Sequence, residues 1–262
     1  MLSTLNKTFE RELFAIGERM VAVTTAPSQM IAGLARKATT PPGKMIRSIV
    51  TLTCAEVIDV KGDAVTSLCA ALELIHSASL LHDDIIDDEK IRRGNDSFRI
   101  RDGDKMSLLV GDFLWCGAIG EILAMNDISL LRSFQRAALD TISGEILELQ
   151  MKQSGGMSPE LYLQIIELKT ASLFKLATRI PVLLSPAEPT LAEKLEKVGR
   201  TFGIAYQIRD DLNDHESDTA TLPGPDFLLK ELKKYSGLVE KAISSIPDFH
   251  FGGELLTLIA HG

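Results

Sequence analysis

The sequence predicts an all-α fold, and three observations carry that prediction. Apolar residues recur at helical spacing: Leu5, Phe9, Leu13, Ile16 and Met20 lie four, four, three and four residues apart. The separators between such stretches are short and rich in turn and cap residues. Alternation of period two over strand lengths is hard to find, and aromatic residues make up only 5% of the chain, little for a strand-rich protein.

The first helix is read over Leu5 to Val23. Ser48 to Asp59 follows, then Ala64 to Lys90, with Lys61-Gly62-Asp63 between them. Leu108 to Met125 and Leu130 to Ser154 are parted by Asn126-Asp127. Ser154-Gly155-Gly156 precedes Pro159 to Leu184, and Ser185 to Pro189 precedes Thr190 to Asp214. Asp218 to Asp226 holds two prolines and a glycine and reads as a loop. Phe227 to Ile246 reads as one amphipathic helix, and Glu254 to Ala260 as a short apolar one. Several helices are apolar on more than one side, which predicts a bundle with a central helix.

The 262 residues fit one large domain or two small ones. A formal charge of −8 argues against general nucleic-acid binding, which needs a basic surface. It suits divalent metals, which need carboxylates. Cys54, Cys69 and Cys116 are far apart in apolar stretches and form no CxxC pair. They read as buried free thiols in a reducing cytoplasm, with neither zinc nor disulfides. The start, MLSTLNKTFERELF, has no apolar signal region. The apolar window Ser107 to Met125 carries Asp112 and Glu121, so it reads as a core helix and no transmembrane segment is expected.

Two acidic clusters stand out. The first is Leu80-Leu81-His82-Asp83-Asp84-Ile85-Ile86-Asp87-Asp88, and the second is Gln207-Ile208-Arg209-Asp210-Asp211-Leu212-Asn213-Asp214. Residues four apart on a helix differ by about 40° and about 6 Å of rise. Asp83 and Asp87 therefore share a face, as do Asp210 and Asp214. An acidic run is ordinarily solvated surface, but these interrupt or end strongly apolar helices. Converging like charges repel unless a cation lies between them. Such carboxylates suit Mg²⁺, which takes one or two of them and completes its octahedron with water and phosphate oxygens. Arg92-Arg93-Gly94 follows the first cluster, and Gly43-Lys44-Met45-Ile46-Arg47 lies earlier. Guanidinium groups beside a carboxylate site fit a metal–diphosphate ligand. His76 is ordinarily a hydrogen-bonded core histidine. Its position seven residues before Asp83 puts it only about 20° away on the helix. His82 reads as structural, and Asp112 as a helix-start residue after Gly111.

Seven stretches in order carry a family resemblance: residues 43–47, 75–87, 92–94, 109–114 (Leu-Val-Gly-Asp-Phe-Leu), 144–149 (Gly-Glu-Ile-Leu-Glu-Leu), 169–174 (Lys-Thr-Ala-Ser-Leu-Phe) and 202–214. Through them the chain resembles the trans-isoprenyl diphosphate synthases, or polyprenyl synthetases, of long-chain type. The resemblance implies one domain over residues 1–262, an isoprenoid-synthase-type helical bundle around a deep central cavity. It implies an enzyme that condenses isopentenyl diphosphate with an allylic diphosphate, using three Mg²⁺ per site, with Mn²⁺ able to substitute. Asp83, Asp87 and Asp210 match direct metal ligands, and Asp84, Asp211 and Asp214 match supporting or water-mediated positions. The metals neutralise the leaving diphosphate, so that the C–O bond ionises to an allylic cation. The alkene of isopentenyl diphosphate attacks that cation, and a proton then leaves to the departed diphosphate. Lys44, Arg47, His76 and Arg93 match a metal-free basic site for isopentenyl diphosphate. Arg92 and Lys169 match residues on the allylic diphosphate. Lys169, Thr170 and Gln207 match groups whose dipoles line the cation. Ser79 and Ala78 occupy the family's chain-stopping positions and are small, which implies products of C20 or more above a floor of Ile75, Leu74 and Ala71. A cytoplasmic homodimer is implied as well.

The chain also departs from that pattern. Only 48 residues follow Asp214, where the family continues much further, so residues 215–262 read as truncated. The family's basic loop there reads as shortened, the next lysine being Lys230, and Pro42 stands at a usual glycine position. Two other readings therefore stay open. One is a diphosphate-binding subunit of low activity that needs a partner chain. The other is an all-α binding protein that keeps the acidic runs without catalysis.

Overall fold

The computed structural model describes residues 2–23, 28–40, 43–154, 157–185, 187–214 and 223–261. Helices α1 (Leu2–Thr8), α2 (Glu10–Val23), α3 (Gln29–Thr39), α4 (Ile46–Ile58) and α5 (Asp63–Ile86) come first. A small hairpin follows, β1 (Ile91–Arg92) and β2 (Asn95–Asp96). Then come α6 (Phe98–Asp102), α7 (Asp104–Ala124), α8 (Ile128–Ser154) and α9 (Pro159–Ile166). A π-turn, Glu167–Ala171, leads into α10 (Ser172–Leu183), α11 (Pro189–Asp214), α12 (Pro225–Ser244) and α13 (Gly252–His261). The all-α class expected from the sequence is the class observed.

Contacts divide the chain into two compact units. The α5 unit comprises Glu10–Ser48 and Gly62–Leu131, and the α11 unit comprises Met1–Phe9, Ile49–Lys61 and Arg132–Gly262. In the α5 unit, α5 packs along α7 and α2. Its run Leu68–Ile75 is buried throughout. The closest crossing is at Gly111, where a side chain would collide with the His82 ring. His82 Nε2 also lies 3.3 Å from the Leu108 carbonyl oxygen. By length and composition α5 and α7 could each cross a membrane; 67% of the apolar window of α5 is buried inside the protein but only 33% of that of α7, the helix expected to lie in the core.

In the α11 unit, α11 packs against α10 and α12, and against the π-turn. Phe174 meets Phe202 edge-on at 5.2 Å and tilts toward Tyr206 at 5.5 Å. Gly203 is required here, because a Cβ on it would lie 2.6 Å from Ala171 Cα. Gly144 of α8 meets the turn in the same way, against the backbone of Lys169. Capping fixes the helix starts locally. Ser158 Oγ accepts from Leu161 N–H at 3.2 Å, with Pro159 at the first helical position. Asp127 Oδ1 accepts from Ser129 N–H at 2.7 Å and from Ser129 Oγ–H at 2.6 Å at the head of α8.

Several expectations are corrected. The expected helix Leu5 to Val23 is broken at Phe9, whose buried ring packs edge-on to Phe251 at 5.3 Å. Helix α3 lay in a stretch where no helix was expected. The expected helix to Lys90 stops at Ile86, and the hairpin occupies the chain beyond it. Helix α7 starts at Asp104, so Asp112 is an exposed mid-helix residue rather than a helix-start residue. Cys54 and Cys69 are buried, and burial pushes the Cys54 thiol up to about 12. Cys116 is exposed on α7, unlike the buried thiol expected from its apolar neighbours.

Candidate functional site

The C-terminal end of α5 carries the first acidic cluster. Asp83 is partly exposed and Asp87 exposed. They share a helical face, with Asp87 N–H closing the last turn on the Asp83 carbonyl at 2.8 Å. Asp84 differs, being 3% exposed. Its Oδ1 accepts from Arg92 Nε at 2.8 Å and also from Arg92 Nη2. The hairpin delivers that arginine. Arg93 and Gly94 form its two-residue turn, both with positive φ (53° and 76°). A type I′ turn demands this, and glycine supplies it without strain.

The same unit gathers a cationic patch. A side chain on Gly43 would collide with the Arg93 guanidinium, so this glycine admits Arg93 beside the Lys44–Arg47 segment. Ser48 N–H and Oγ–H both donate to the buried Glu73 Oε1, at 2.9 and 2.8 Å. That clamp fixes the first turn of α4, and hence Arg47, against α5 one turn before His76. The His76 pKa is held well below the ordinary histidine value, first by burial and then by Arg47, Arg93 and Arg92. The ring is therefore neutral at pH 7, in the field of three guanidinium groups. Lys44 is exposed in the segment before α4. Ala78 is fully buried, whereas Ser79 is partly exposed and donates to the His76 carbonyl at 2.9 Å. His82 Nε2 lies 3.5 Å from Asp112 Oδ1.

The α11 unit carries the second cluster. Arg209 is 5% exposed. It stacks over the Tyr206 ring at 4.2 Å, donates to the Leu258 carbonyl of α13, and reaches Asp210 Oδ1 through Nε at 3.1 Å. Asp211 accepts from Tyr162 Oη at 2.5 Å and from Gln207 Nε2 at 2.7 Å. Burial pushes the Asp211 carboxyl up to about 6 against those two hydrogen bonds. Asp214 closes α11, and its side chain lies outside the described residues, as do Pro42 and the segment 215–222. Lys169 and Thr170 sit within the π-turn, an irregularity frequent at functional sites. Lys169 Nζ is paired with Glu145 and Glu148, each at 2.6 Å. Thr170 Oγ1 donates to Gln207 Oε1 at 2.7 Å.

The α5 unit thus brings together Arg47, His76, Arg92, Arg93 and the first cluster. The α11 unit brings together Lys169, Thr170, Gln207, Asp210 and Asp211. Tyr162, Glu73, Glu145 and Glu148 were not singled out from the sequence. The two glutamates of 144–149 lay in a quoted motif and could have been found there. Tyr162 gave no local signal. Among the described residues no three His, Cys, Asp or Glu side chains gather closely enough to hold a metal alone. The donors on hand are carboxylate oxygens in ones and twos. That set fits Mg²⁺, which draws its remaining ligands from water and phosphate.

The comparisons agree on one family. The polyprenyl synthetase family model matches residues 28–243. The octaprenyl diphosphate synthase of Escherichia coli is 29% identical over 83% of this chain and 67% of its own length. The geranyl-diphosphate-specific all-trans-nonaprenyl-diphosphate synthase of Rhodobacter capsulatus is 34% identical over 69% of this chain, which spans only 55% of that enzyme. Among solved structures, the geranyltranstransferase of Thermotoga maritima superposes with a TM-score of 0.85 at 26% identity, covering 97% of this chain and 96% of that one. A family match over most of the chain, on a helical frame shared with solved members, makes this chain a member of the polyprenyl synthetase family.

Proposed function

We propose that this chain is a Mg²⁺-dependent prenyltransferase that condenses isopentenyl diphosphate with an allylic diphosphate, giving a trans-polyprenyl diphosphate of C20 or more. One observation carries the reading. A single helix, α5, bears a metal-type carboxylate pair at its end and, two turns earlier, a neutral histidine among Arg47, Arg92 and Arg93. Such a helix has one place for a metal-bound diphosphate and another for a metal-free one. The relatives named as octaprenyl and nonaprenyl diphosphate synthases support the same chemistry.

In the α5 unit Asp83 and Asp87 would hold Mg²⁺ with Asp84 in support, and in the α11 unit Asp210 would do so with Asp211 and Asp214 in support. When bound, the metal ions offset charge on the leaving diphosphate. Asp84 also holds Arg92, the cation that we assign to the allylic diphosphate. Lys44, Arg47, His76 and Arg93 bind isopentenyl diphosphate. His76 contributes a neutral hydrogen-bonding ring there, so the anion meets no second titrating cation. The Lys169 ammonium, held by Glu145 and Glu148, serves the allylic diphosphate, while the Lys169 backbone carbonyl and the Thr170 and Gln207 side chains turn oxygen dipoles to positive charge developing on the allylic carbon. We read residues 1–262 as one domain, acting as a cytoplasmic homodimer with no nucleic-acid partner.

Incubating the purified chain with labelled isopentenyl diphosphate and an allylic diphosphate tests this. Label enters an acid-labile lipid with Mg²⁺ and not after chelation. A chain that binds Mg²⁺–diphosphate yet incorporates no label would instead be a partner-dependent subunit.

A further inference from the structure

Four side chains of the α11 unit form a hydrogen-bond chain that runs one way. Tyr162 Oη and Gln207 Nε2 donate to the two oxygens of Asp211, at 2.5 and 2.7 Å. Thr170 Oγ1 donates to Gln207 Oε1 at 2.7 Å. Chemistry forces this direction. A carboxylate only accepts, so both partners of Asp211 must donate. An amide that turns its nitrogen to Asp211 turns its carbonyl to Thr170. Thr170 must then spend its one proton on that carbonyl, and its oxygen keeps only lone pairs for anything else. The chain is also held rigidly. Tyr162 is 2% exposed and Thr170 7% exposed. Tyr162 packs edge-on to Phe227 at 6.2 Å, and Gly203 lets α11 press on the π-turn that carries Thr170.

We propose that Asp211, anchored by Tyr162, is a positioning residue that fixes the polarity of this chain, so that Thr170 presents bare lone pairs to the positive charge developing on the allylic substrate. This rests on the function proposed above and adds to it the source of the Thr170 orientation. A hydroxyl free to rotate would have to reorganise as the cation forms. One whose proton is already committed does not, and a preorganised dipole of this kind favours the charged state over the neutral substrate. No bond is made or broken within the chain itself.

Three variants separate polarity from mere packing. Asp211→Asn can reverse the chain: its amide nitrogen donates to Gln207 Oε1, Gln207 turns its Nε2 to Thr170, and the Thr170 proton swings outward. Tyr162→Phe loosens the anchor without reversing it. Thr170→Val removes the terminal oxygen. Calorimetry with Mg²⁺ reads the affinity of two probes. One is an allylic diphosphate analogue with an ammonium nitrogen at the reacting carbon. The other is a neutral thio-linked analogue of the same length. Wild type should prefer the cationic probe. That preference should fall about tenfold in Asp211→Asn, the scale of a charge-assisted hydrogen bond, and several-fold in Tyr162→Phe. Adding Asp211→Asn to Thr170→Val should change it no further, because the two act through one oxygen. Thr170→Ser should retain it. The inference is overturned if Asp211→Asn or Tyr162→Phe weakens both probes equally, or if the Asp211 and Thr170 effects simply add. Wild type that binds neither probe would overturn the proposed function, and this inference with it.

Discussion

His76 is neutral because it is buried and because Arg47, Arg93 and Arg92 lie around it. Its folded pKa is below the unfolded value, so the unfolded chain binds the extra proton. This group therefore adds stability that is complete above about pH 6.5 and is lost as pH falls toward the folded pKa. Melting curves should show a steep fall of Tm below pH 6.5 in the wild type and a shallower fall in His76→Gln. Identical slopes would mean that His76 is already charged in the folded protein. The acidic runs were legible in the sequence, because residues four apart on a helix, such as Asp83 and Asp87, share a face wherever the helix goes. Arg92 and Gln207, which hold Asp84 and Asp211, were singled out there too, but Tyr162 was not. Tyr162 lies 49 residues from Asp211, and Arg200 lies 33 residues from Glu167, so only folding brings each pair together. The Glu167–Arg200 pair illustrates the reverse sign of linkage. Arg200 donates through Nε and Nη2, both at 2.6 Å, and these hydrogen bonds hold the Glu167 carboxyl below its ordinary range. Its contribution is present above the unfolded carboxyl pKa and is lost as pH falls through the folded one. Glu167→Gln should therefore lower Tm at pH 7, by an amount that shrinks as the pH falls below the ordinary carboxyl range, as read by thermal denaturation.

At the scale of elements, the π-turn is the feature that places Lys169 and Thr170, and two glycines let helices press against it. Gly203→Ala would drive a Cβ to 2.6 Å from Ala171 Cα. Backbone cannot swing aside as a side chain can, so overpacking of about 1–3 kcal/mol is expected. Denaturant unfolding should show a lower midpoint for Gly203→Ala, whereas Gly237→Ala, with nothing within 4 Å of its Cβ, should show none. Equal midpoints for the two would contradict the close approach. The π-turn was invisible in the sequence because one extra residue shifts the apolar period too little to register across Pro159 to Leu184. The hairpin was hidden too, since two-residue strands are too short to alternate. Arg93-Gly94 is nonetheless a turn dipeptide, and it explains why Arg-Arg-Gly follows the acidic cluster.

At the scale of the whole molecule, helical periodicity predicted the fold class correctly but not the division into two units. Those units interleave along the chain, with Ile49–Lys61 belonging to one and the residues on either side of it to the other. Local periodicity carries no information about such exchange. Apolar surface also remains uncovered. Leu109 and Leu123 on α7 are 61% and 56% exposed, and Ile142 and Ile146 on α8 are 47% and 53% exposed. Exposed apolar side chains on a helix face suit an interface, and a homodimer is the expected occupant. Light scattering at micromolar concentration should give twice the chain mass for wild type and the single chain mass for Leu109→Asp. A wild-type monomer would contradict that expectation.

Ala78 is fully buried one turn before the first aspartates, and Ser79 beside it is small. In the proposed reaction such small side chains leave room for a growing isoprenoid tail. Chromatography of the dephosphorylated products made by the purified chain with Mg²⁺, isopentenyl diphosphate and an allylic primer tests the proposed reaction and its extent together. Alcohols of C20 or longer are the expected result, and a distribution that stops at C15, or no prenyl product at all, would contradict it.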